Sequence, residues 1–315
     1  MEYRKFGAAG VKVSAIGLGG NNFGRRIDAA QTAAVVHRAL DLGVNLFDTA
    51  DMYGPFLSEE YLGKALAGRR HEVVLATKGG KRLGDKPNEI GLSYRRVMAC
   101  CENSLRRLGT DHVDVYYLHE PDSFTRPDET LRACDDLVRQ GKVRYIGISN
   151  YRAWQACEML WACDRRGYQP PVVTQDLYNM LDRDVEADLV PFCRAHGMGI
   201  VPYYPLASSL LSGKFRRGDP IPTEVRGMRL PVILKHLNPG TFETIWRLDA
   251  FAKELGHSLS EMAIAWLLSH SEVPSVIAGA SKPEQVEANV AACEWKLSAD
   301  ELKGIEGILA SAGKD

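Results

Sequence analysis

The chain has 315 residues, of which 45% are hydrophobic and 25% are charged, and its formal net charge is −1. This composition is ordinary for a globular protein that can bury a large core. The charge balance gives no reason to expect a nucleic-acid partner, and no apolar run approaches the roughly 18 residues that span a bilayer. We therefore expect neither nucleic acid nor a membrane among its partners.

The N-terminal stretch MEYRKFGAAG lacks the apolar segment of a secretory signal, so a cytoplasmic location is expected. Seven cysteines are scattered along the chain, without a Cys-x-x-Cys motif or a paired Cys/His spacing. We interpret them as reduced thiols that fill core space, and we expect no metal site. Nothing in the sequence indicates the oligomeric state.

Short β-rich runs alternate with helical runs, which is typical of parallel strands joined by helices. Eight such units in about 250–300 residues predict a closed (β/α)8 TIM barrel. A doubly wound sheet is the alternative, because strand order cannot be read from a sequence. The predicted strands cover residues 13–19, 44–48, 72–78, 113–119, 143–149, 172–176, 199–204 and 275–279. The helical runs end at Gly43, Gly68, Gly109, Gly141, Gly167, Gly197 and Gly256, as left-handed helix ends prefer.

Two segments fall outside this repeat. Residues 1–12 are predicted to form a β-hairpin that closes the bottom of the barrel. Residues 206–240, which follow the seventh strand, form a long loop rich in Gly, Pro and Arg, and loops of this length are usually functional. Because no linker or low-complexity tract interrupts the pattern, we predict a single domain over residues 1–315.

Reactive side chains follow three consecutive strands. The second strand ends at Asp48 with Tyr53 shortly after it, the third ends at Lys78, and the fourth ends at His119. Each residue alone is most simply a loop acid, a solvated lysine or a structural histidine. Active sites of such barrels lie at the carboxyl ends of the strands, however, so the four are expected to converge on one rim.

These four residue types suit reduction of a carbonyl group. Tyrosine has an ordinary pKa of about 10, and a nearby lysine is expected to lower it. Asp48 would keep Lys78 charged and oriented, while His119 would hydrogen-bond the carbonyl oxygen or relay a proton. The hydride must then come from a cofactor.

With these motifs, the chain resembles the aldo-keto reductase superfamily over essentially its full length. The matching strings are FDTADMYG (47–54), VVLATKGG (73–80), DVYYLHEPD (114–122), VRYIGISN (143–150), YYPLASSLLSGK (203–214) and GASKPEQVEAN (279–289). The resemblance implies a catalytic tetrad in which Tyr53 is the general acid. The tetrad is Asp48, Tyr53, Lys78 and His119.

The resemblance also implies an extended nicotinamide dinucleotide bound without a Rossmann fold. The nicotinamide end is expected at Ser149, Asn150, Gln175 and Tyr203, with the tyrosine stacked under the ring. The pyrophosphate is expected at Leu206, Ser208 and Lys214. The adenosine end is expected at Gly279, Ser281, Lys282, Gln285 and Asn289.

The choice of cofactor depends on the start of the helix after strand eight. Gln285 stands where several NADP-specific members carry Arg, but Lys282 can neutralise a 2′-phosphate. We therefore expect NADP(H) to be preferred and NAD(H) to be accepted. Glu120 beside the histidine and Tyr204 also depart from many relatives and bear on substrate polarity.

Some patterns in the sequence have other interpretations. GLGGNNFG (17–24) resembles a dinucleotide fingerprint but has Asn22 where the last glycine belongs; we place Asn22 and Phe23 on the substrate rim. Asp48 and Asp51 resemble a glycosidase pair, but we interpret Asp51 as a loop polar residue because Lys78 pairs with Asp48.

The expected function is an oxidoreductase that transfers a hydride between NADP(H) and an aldehyde, ketone or sugar. The same chemistry run in reverse makes an alcohol or sugar dehydrogenase. Two other functions stay open: a cofactor-binding β-subunit of an ion channel, disfavoured because no N-terminal extension precedes the barrel, and an aldolase with a Schiff base on Lys78. The sequence does not name the substrate.

Overall fold

A computed structural model describes residues 1–84, 88–225 and 231–311. The strands are β1 (Tyr3–Lys5), β2 (Lys12–Ser14), β3 (Ile16–Gly19), β4 (Leu46–Asp48), β5 (Val74–Gly79), β6 (Val113–Leu118), β7 (Val143–Ser149), β8 (Val173–Leu177), β9 (Gly199–Tyr203) and β10 (Val276–Gly279). The helices are α1 (Ala29–Asp41), α2 (Leu57–Ala65), α3 (Tyr94–Leu108), α4 (Pro127–Arg139), α5 (Ala153–Arg166), α6 (Leu189–His196), α7 (Pro231–Leu234), α8 (Pro239–Glu254), α9 (Leu259–Leu268), α10 (Pro283–Ala291) and α11 (Ala299–Ala310).

Strands β3 to β10 form one eight-stranded sheet in the order β10-β3-β4-β5-β6-β7-β8-β9, and each strand in this order is parallel to the next. The two ends of this order, β9 and β10, lie in contact, so the sheet is a nearly closed barrel. The order never reverses, which rules out the doubly wound alternative. The predicted (β/α)8 architecture is confirmed.

The helices surround the barrel, and α3 shows why they form where they do. Its Ser93 accepts a hydrogen bond from the Arg96 amide at the N-terminus, and apolar positions spaced three or four apart, such as Val97, Cys101 and Leu105, are buried. All seven glycines predicted to end helical runs have φ angles between 62° and 80°, as predicted. No helix in the three described ranges is long and apolar enough to cross a membrane.

The N-terminal hairpin is longer than predicted, and the first barrel strand is shorter. β1 pairs with β2 in antiparallel register, so Val13 and Ser14 belong to the hairpin, and the barrel strand begins only at Ile16. Phe6 and Val13 are fully buried and join a cluster with barrel residues that include Val115. The hairpin thus closes the bottom of the barrel, but the predicted strand over 13–19 is two separate strands.

A glycine in the hairpin turn makes this closure tight. Gly7 has a φ of 57°, and a Cβ added there would lie 2.2 Å from the carbonyl oxygen of Val172. The next amide, that of Ala8, donates to the same oxygen at 3.2 Å. Only glycine allows both the backbone conformation and this approach to β8.

The segment 206–240 follows the seventh barrel strand as predicted, but much of what is described has regular structure. It includes a 3₁₀ segment over Ala207–Ser212 and the short helix α7. Leu210 and Leu211 are fully buried, so the start of the segment is packed rather than loose. Residues 226–230 of this predicted loop lie outside the described residues.

All seven cysteines are free, and six of them are buried, in agreement with core-filling thiols. Cys157 on α5 is the exception, since it is exposed. Burial raises the pKa of the Cys134 and Cys193 thiols far above their ordinary range, which keeps both protonated and unreactive.

The closed bottom predicts a large cost for removing Phe6. We expect Phe6→Ala to lower the free energy of unfolding by about 3–5 kcal/mol, because a fully buried aromatic ring leaves a cavity. Phe124→Ala is the control: its ring is 98% exposed, so the change should stay within about 0.5 kcal/mol. Urea unfolding followed by circular dichroism measures both. Equal stabilities for the two variants would contradict the conclusion that the N-terminal hairpin is packed into the bottom of the barrel.

Candidate active site

A buried ion pair lies at the carboxyl ends of β4 and β5. The Nζ atom of Lys78 donates to Oδ2 of Asp48 at 2.5 Å and to the carbonyl oxygen of Thr49 at 2.8 Å. The other carboxylate oxygen of Asp48 accepts from Nε2 of Gln175 at 2.9 Å. Lys78 is 0% exposed and Asp48 is 3% exposed. Charges this deep are tolerated only when they are paired and hydrogen-bonded, as here.

Tyr53 stands beside this pair at the end of a tight turn. The Tyr53 amide donates to the carbonyl of Ala50 at 3.1 Å, which closes the turn that leaves β4. The half-buried ring lies with its centroid 5.2 Å from Lys78 Nζ and 6.1 Å from the His119 ring, edge to face. The next residue, Gly54, has a φ of 61°, and a Cβ there would meet the Phe23 carbonyl at 2.2 Å. The turn therefore needs glycine after the tyrosine.

The expected lowering of the Tyr53 pKa is wrong. Burial raises the pKa of this phenol well above its ordinary value, and the Asp48 carboxylate raises it further, followed by Tyr204, Tyr203 and Asp51. Asp48 neutralises Lys78 at contact distance, so the phenol meets a dipole rather than a free cation. Burial also lowers the pKa of Lys78, which Asp48 opposes. Tyr53 is accordingly a protonated hydrogen-bond donor.

His119 is a neutral imidazole. It follows β6 directly, and its amide donates to the Gly79 carbonyl at 3.0 Å. Burial lowers its pKa to about 2, and the nearby Lys78 and Lys81 ammonium groups add to the effect. The Nδ1 atom is buried and has no hydrogen-bond partner within the described part of the chain. A neutral ring can donate to an incoming oxygen without carrying a charge of its own.

A hydrogen-bonded amide cluster lies beside the tetrad at the ends of β7, β8 and β9. Ser149 Oγ donates to the Gln175 carbonyl at 2.7 Å, and the Tyr203 hydroxyl donates to Asn150 Oδ1 at 2.8 Å. Asn150 Nδ2 donates to the carbonyl of His119 at 3.0 Å. The structure therefore brings these four predicted cofactor residues together, and Gln175 connects them to Asp48.

Asp176 supports this cluster and was not singled out from the sequence. It is buried, and its Oδ1 accepts from the Asn150 amide at 3.1 Å, where Asn150 has a left-handed φ of 63°. Burial raises the pKa of Asp176 to about 7. The only signal in the sequence is an acid inside a predicted buried strand, next to Gln175.

The segment that contains Leu206, Ser208 and Lys214 has an unusual backbone. Ala207, Ser208 and Ser209 have φ angles of 44°, 56° and 86°, which non-glycine residues rarely adopt in succession. Ser208 is buried, Leu206 is half-buried and Lys214 is exposed. Such strained backbone is concentrated at ligand sites, where it can turn amide groups toward an anion.

The residues predicted for the adenosine end surround the start of α10. Gly279 ends β10, and Lys282 is exposed at the residue before the helix. The amide and hydroxyl of Ser281 both donate to Gln285 Oε1, at 2.8 Å and 3.1 Å. This oxygen of Gln285 is therefore committed within the protein. Asn289 lies further along the same helix and is half-buried.

The glycine-rich stretch near residue 20 is not a dinucleotide fingerprint. β3 is followed by a 3₁₀ turn over Gly20–Asn22 rather than by an α-helix. Asn22 Nδ2 donates to the Ala280 carbonyl at 3.2 Å, which ties the end of β3 to that of β10. Phe23 is 1% exposed and belongs to the core, so its expected place on the substrate rim is wrong.

The geometry disfavours two other catalytic interpretations. Lys78 is fully buried and bonded to Asp48, whereas a Schiff-base lysine needs a free, neutral amine. Asp48 is committed to Lys78 and Gln175, so it is not a free glycosidase carboxylate. Asp51 lies in the loop after β4, as interpreted, but its side chain is fully buried.

A nearly closed parallel barrel with an Asp–Lys pair, a tyrosine and a neutral histidine at its carboxyl rim has the arrangement of a barrel enzyme. Comparison with known families identifies one of them: the model of the Aldo/keto reductase family matches residues 15–310. The chain belongs to the aldo/keto reductase family.

Curated relatives cover nearly the whole chain. A probable voltage-gated potassium channel subunit beta from Arabidopsis thaliana is 36% identical over 93% of this chain and 92% of its own length. The uncharacterized oxidoreductase YrpG from Bacillus subtilis is 34% identical, over 99% and 97%. L-glyceraldehyde 3-phosphate reductase from Escherichia coli K12 is 34% identical, over 93% and 87%. The family and these relatives support an oxidoreductase.

The buried ion pair predicts a stability loss when its cation is removed. We expect Lys78→Met to lower the free energy of unfolding by about 3–5 kcal/mol, because it leaves Asp48 charged and buried without its main partner. Lys64→Met, at an exposed position on α2, should change it by less than about 0.5 kcal/mol. Denaturant unfolding at neutral pH measures both.

The double variant Asp48→Asn/Lys78→Met tests the cause of this loss. Removing both charges should cost less than the two single changes added together, since no unpaired charge then remains. Strict additivity would contradict a coupled pair.

Proposed function

We propose that the protein is an NADP(H)-dependent reductase of small-molecule aldehydes, ketones or sugars, in which Tyr53 gives the proton. One observation carries the proposal: a protonated tyrosine stands between a buried Lys78–Asp48 pair and the neutral ring of His119. The family and its oxidoreductase relatives support the same chemistry. The first experiment is a panel of aldehydes, ketones, sugars and their alcohols, followed by NAD(P)H absorbance with both cofactors.

The residues around the tetrad suit a nicotinamide dinucleotide. Asn150, Ser149 and Gln175 present the donors and acceptors that a carboxamide needs, and Tyr203 offers a flat ring beside them. The left-handed segment at Ser208 and the start of α10 offer amide groups to phosphates. Full assignments are Ser149, Asn150, Gln175 and Tyr203 for the nicotinamide, Leu206, Ser208 and Lys214 for the pyrophosphate, and Gly279, Ser281, Lys282, Gln285 and Asn289 for the adenosine end. When bound, the dinucleotide supplies or accepts the hydride.

The proton in this scheme moves from the protein to the substrate oxygen. The Tyr53 hydroxyl and the His119 ring both donate hydrogen bonds to the carbonyl oxygen and orient it. As negative charge develops on that oxygen, Tyr53 transfers its proton, and the ammonium of Lys78 stabilises the phenolate left behind. Asp48 and the Thr49 carbonyl hold Lys78 in place for this task. In the reverse direction Tyr53 takes the proton of an alcohol.

The Escherichia coli relative is named as a reductase of L-glyceraldehyde 3-phosphate, which supports a small carbonyl substrate here as well. We further propose that the chain acts in the cytoplasm as one domain.

A cofactor-binding regulatory subunit is the second candidate, because relatives named as potassium channel β-subunits are equally similar to this chain. The substrate panel separates the two functions. Cofactor binding without turnover of any substrate would favour the regulatory function, and steady turnover would favour the reductase.

Tyr53→Phe tests the proton donor. We expect kcat to fall by about 10²–10⁴-fold with cofactor binding unchanged, because the ring stays and only the acidic hydroxyl is lost. The control is Tyr168→Phe, at a half-buried tyrosine remote from the strand ends, which should keep normal activity. Steady-state kinetics and fluorescence titration of NADPH measure the two effects. Wild-type turnover in Tyr53→Phe would require another donor.

Lys282→Ala tests the preference for NADP(H). Its exposed ammonium at the start of α10 can pair with a 2′-phosphate, whereas Gln285 is turned back onto Ser281. One charge-assisted contact corresponds to roughly a ten- to hundredfold difference in affinity. We expect the variant to lose most of that preference while NADH binding stays the same. Lys303→Ala on α11 is the exposed control.

Fluorescence quenching titrations with NADPH and NADH give two dissociation constants for the wild type and two for each variant compared with it. Tighter NADH than NADPH binding by the wild type would contradict the preference itself. An unchanged NADPH-to-NADH ratio in Lys282→Ala would instead show that another group contacts the 2′-phosphate.

A further inference from the structure

The turn that presents Tyr53 carries a second, unexplained acid. Asp51 is the first corner residue of the turn closed by Ala50 and Tyr53, and its amide donates to the Lys78 carbonyl at 3.0 Å. Its backbone is therefore fixed to β5 beside the ion pair. Its side chain is fully buried and lines a cavity that reaches α3. A buried acid in the loop between Asp48 and Tyr53 needs a physical reason to be there.

The cavity has a volume of about 330 Å³, and polar atoms make up more than half of its lining. Apart from the Cys100 thiol, which lies close enough to lower its pKa, the Asp51 carboxylate has no hydrogen-bond partner within the described residues. Nε and Nη2 of Arg96 across the cavity have none there either. Arg107, by contrast, is committed to Glu59 at 2.6 Å. The lining residues are Asp51, Phe56, Leu83, Glu89, Arg96, Cys100, Asn103 and Arg107. A cavity of this size and polarity can hold water that bridges Asp51 to Arg96.

Burial gives Asp51 a carboxyl that titrates in the neutral range. Burial raises the pKa of Asp51 to about 7, and Glu59 on α2 adds to this, whereas Arg96 and Arg107 on α3 oppose it. The Cys100 thiol gives a further small lowering. The other titratable groups that face it are Glu89 after β5, Lys78 on β5 and Tyr116 on β6.

The influence also runs from Asp51 to the tetrad. Burial, Asp48 and two neighbouring tyrosines raise the pKa of Tyr53, and the negative charge of Asp51 adds to them. The same charge opposes the lowering of the Lys78 pKa that burial causes. Ionised Asp51 thus makes the phenol a weaker acid, and protonated Asp51 removes that effect.

We propose that Asp51 is a positioning residue of the Tyr53 turn: its charge, which Arg96 across the cavity favours, adjusts how tightly Tyr53 holds its proton. This inference rests on the proposed role of Tyr53 as the proton donor. Asp51 itself touches neither substrate nor cofactor in this scheme; its carboxyl acts on Tyr53 through its electric field.

The pH profile of carbonyl reduction tests the proposal. As pH rises from 6 to 8.5, Asp51 ionises and kcat of the wild type should fall by about two- to fivefold. The fall is modest because only part of a change in the acidity of Tyr53 appears in the rate of proton transfer. Asp51→Asn has no charge to gain, so this step should vanish. A residue with a purely structural role would lower kcat equally at every pH. Asp188→Asn, exposed before α6, is the control that keeps the step.

Arg96→Met provides a second variant if Asp51→Asn does not fold. Nε and Nη2 of the guanidinium that it removes make no hydrogen bond to the described residues, while the charge of the group favours ionised Asp51. The step in kcat should therefore move to higher pH by about 0.5–1 unit. Arg95→Met, exposed at the neighbouring position of α3, should leave the step where it is.

A measurement without turnover separates this inference from the proposed function. The folded protein keeps the Asp51 proton up to about pH 7, whereas the unfolded chain releases it near pH 4, so stability from this group is lost as pH rises between those values. The melting temperature of Asp51→Asn should thus gain on the wild type from pH 5 to pH 8. Carbon NMR of labelled aspartate should show the same titration, absent in the variant.

The outcomes are distinct. A wild type that reduces no carbonyl, yet shows the Asp51 titration, overturns the function and with it the proposed coupling to Tyr53. A kcat step that survives Asp51→Asn overturns the inference alone and assigns the step to another buried acid, such as Asp176, whose pKa also rises to about 7. Loss of the step in Asp51→Asn, with its shift in Arg96→Met, supports the inference.

Discussion

The buried Lys78–Asp48 ion pair is the constraint on which the rest of this structure depends. Two charges without solvent contact are costly unless each is fully bonded, and here the bonds come from β4, β5 and β8. These strands occupy different parts of the barrel wall, so the barrel must close in the correct register before the pair is satisfied. Formation of the barrel and formation of the site therefore depend on the same interactions. Because the ion pair has no net charge, Tyr53 lies beside a dipole rather than beside a free cation, and its phenol stays protonated.

The sequence was sufficient for the barrel because its signals are local. Alternating apolar runs, turn glycines and strand-end polar residues each depend on a few neighbouring positions, and they predicted seven of the eight barrel strands to within two residues at each end. The first of these was the exception. Val13 and Ile16 are both apolar and buried, so no periodicity marks where the chain leaves the hairpin and enters the barrel. That division is decided by contacts with the bottom of distant strands.

The candidate site shows the same division between local and distant causes. The sequence showed which residue types lie at the strand ends, and the order of the strands predicted that these residues converge. The hydrogen-bond partners could not be predicted in this way. Gln175 donates to Asp48, which lies 127 residues earlier in the chain, and no spacing rule indicates this bond. The direction of the Tyr53 pKa was mispredicted because proximity to Lys78 was counted and burial was not. The burial of Asp51 was not foreseen for a similar reason, since residues of the distant helix α3, such as Arg96 and Cys100, help to enclose it.

The plugged end of the barrel has a consequence for synthesis of the chain. The first barrel strand, β3, pairs on one side with β10, and Gly7 of the plug packs against Val172 and Gly199. A chain that leaves the ribosome N-terminus first thus exposes an apolar hairpin and an unpaired strand edge until its last strand is made. Barrel closure therefore needs both ends of the polypeptide, and the apolar residues of the hairpin lack part of their native packing until β8 and β9 have been synthesised.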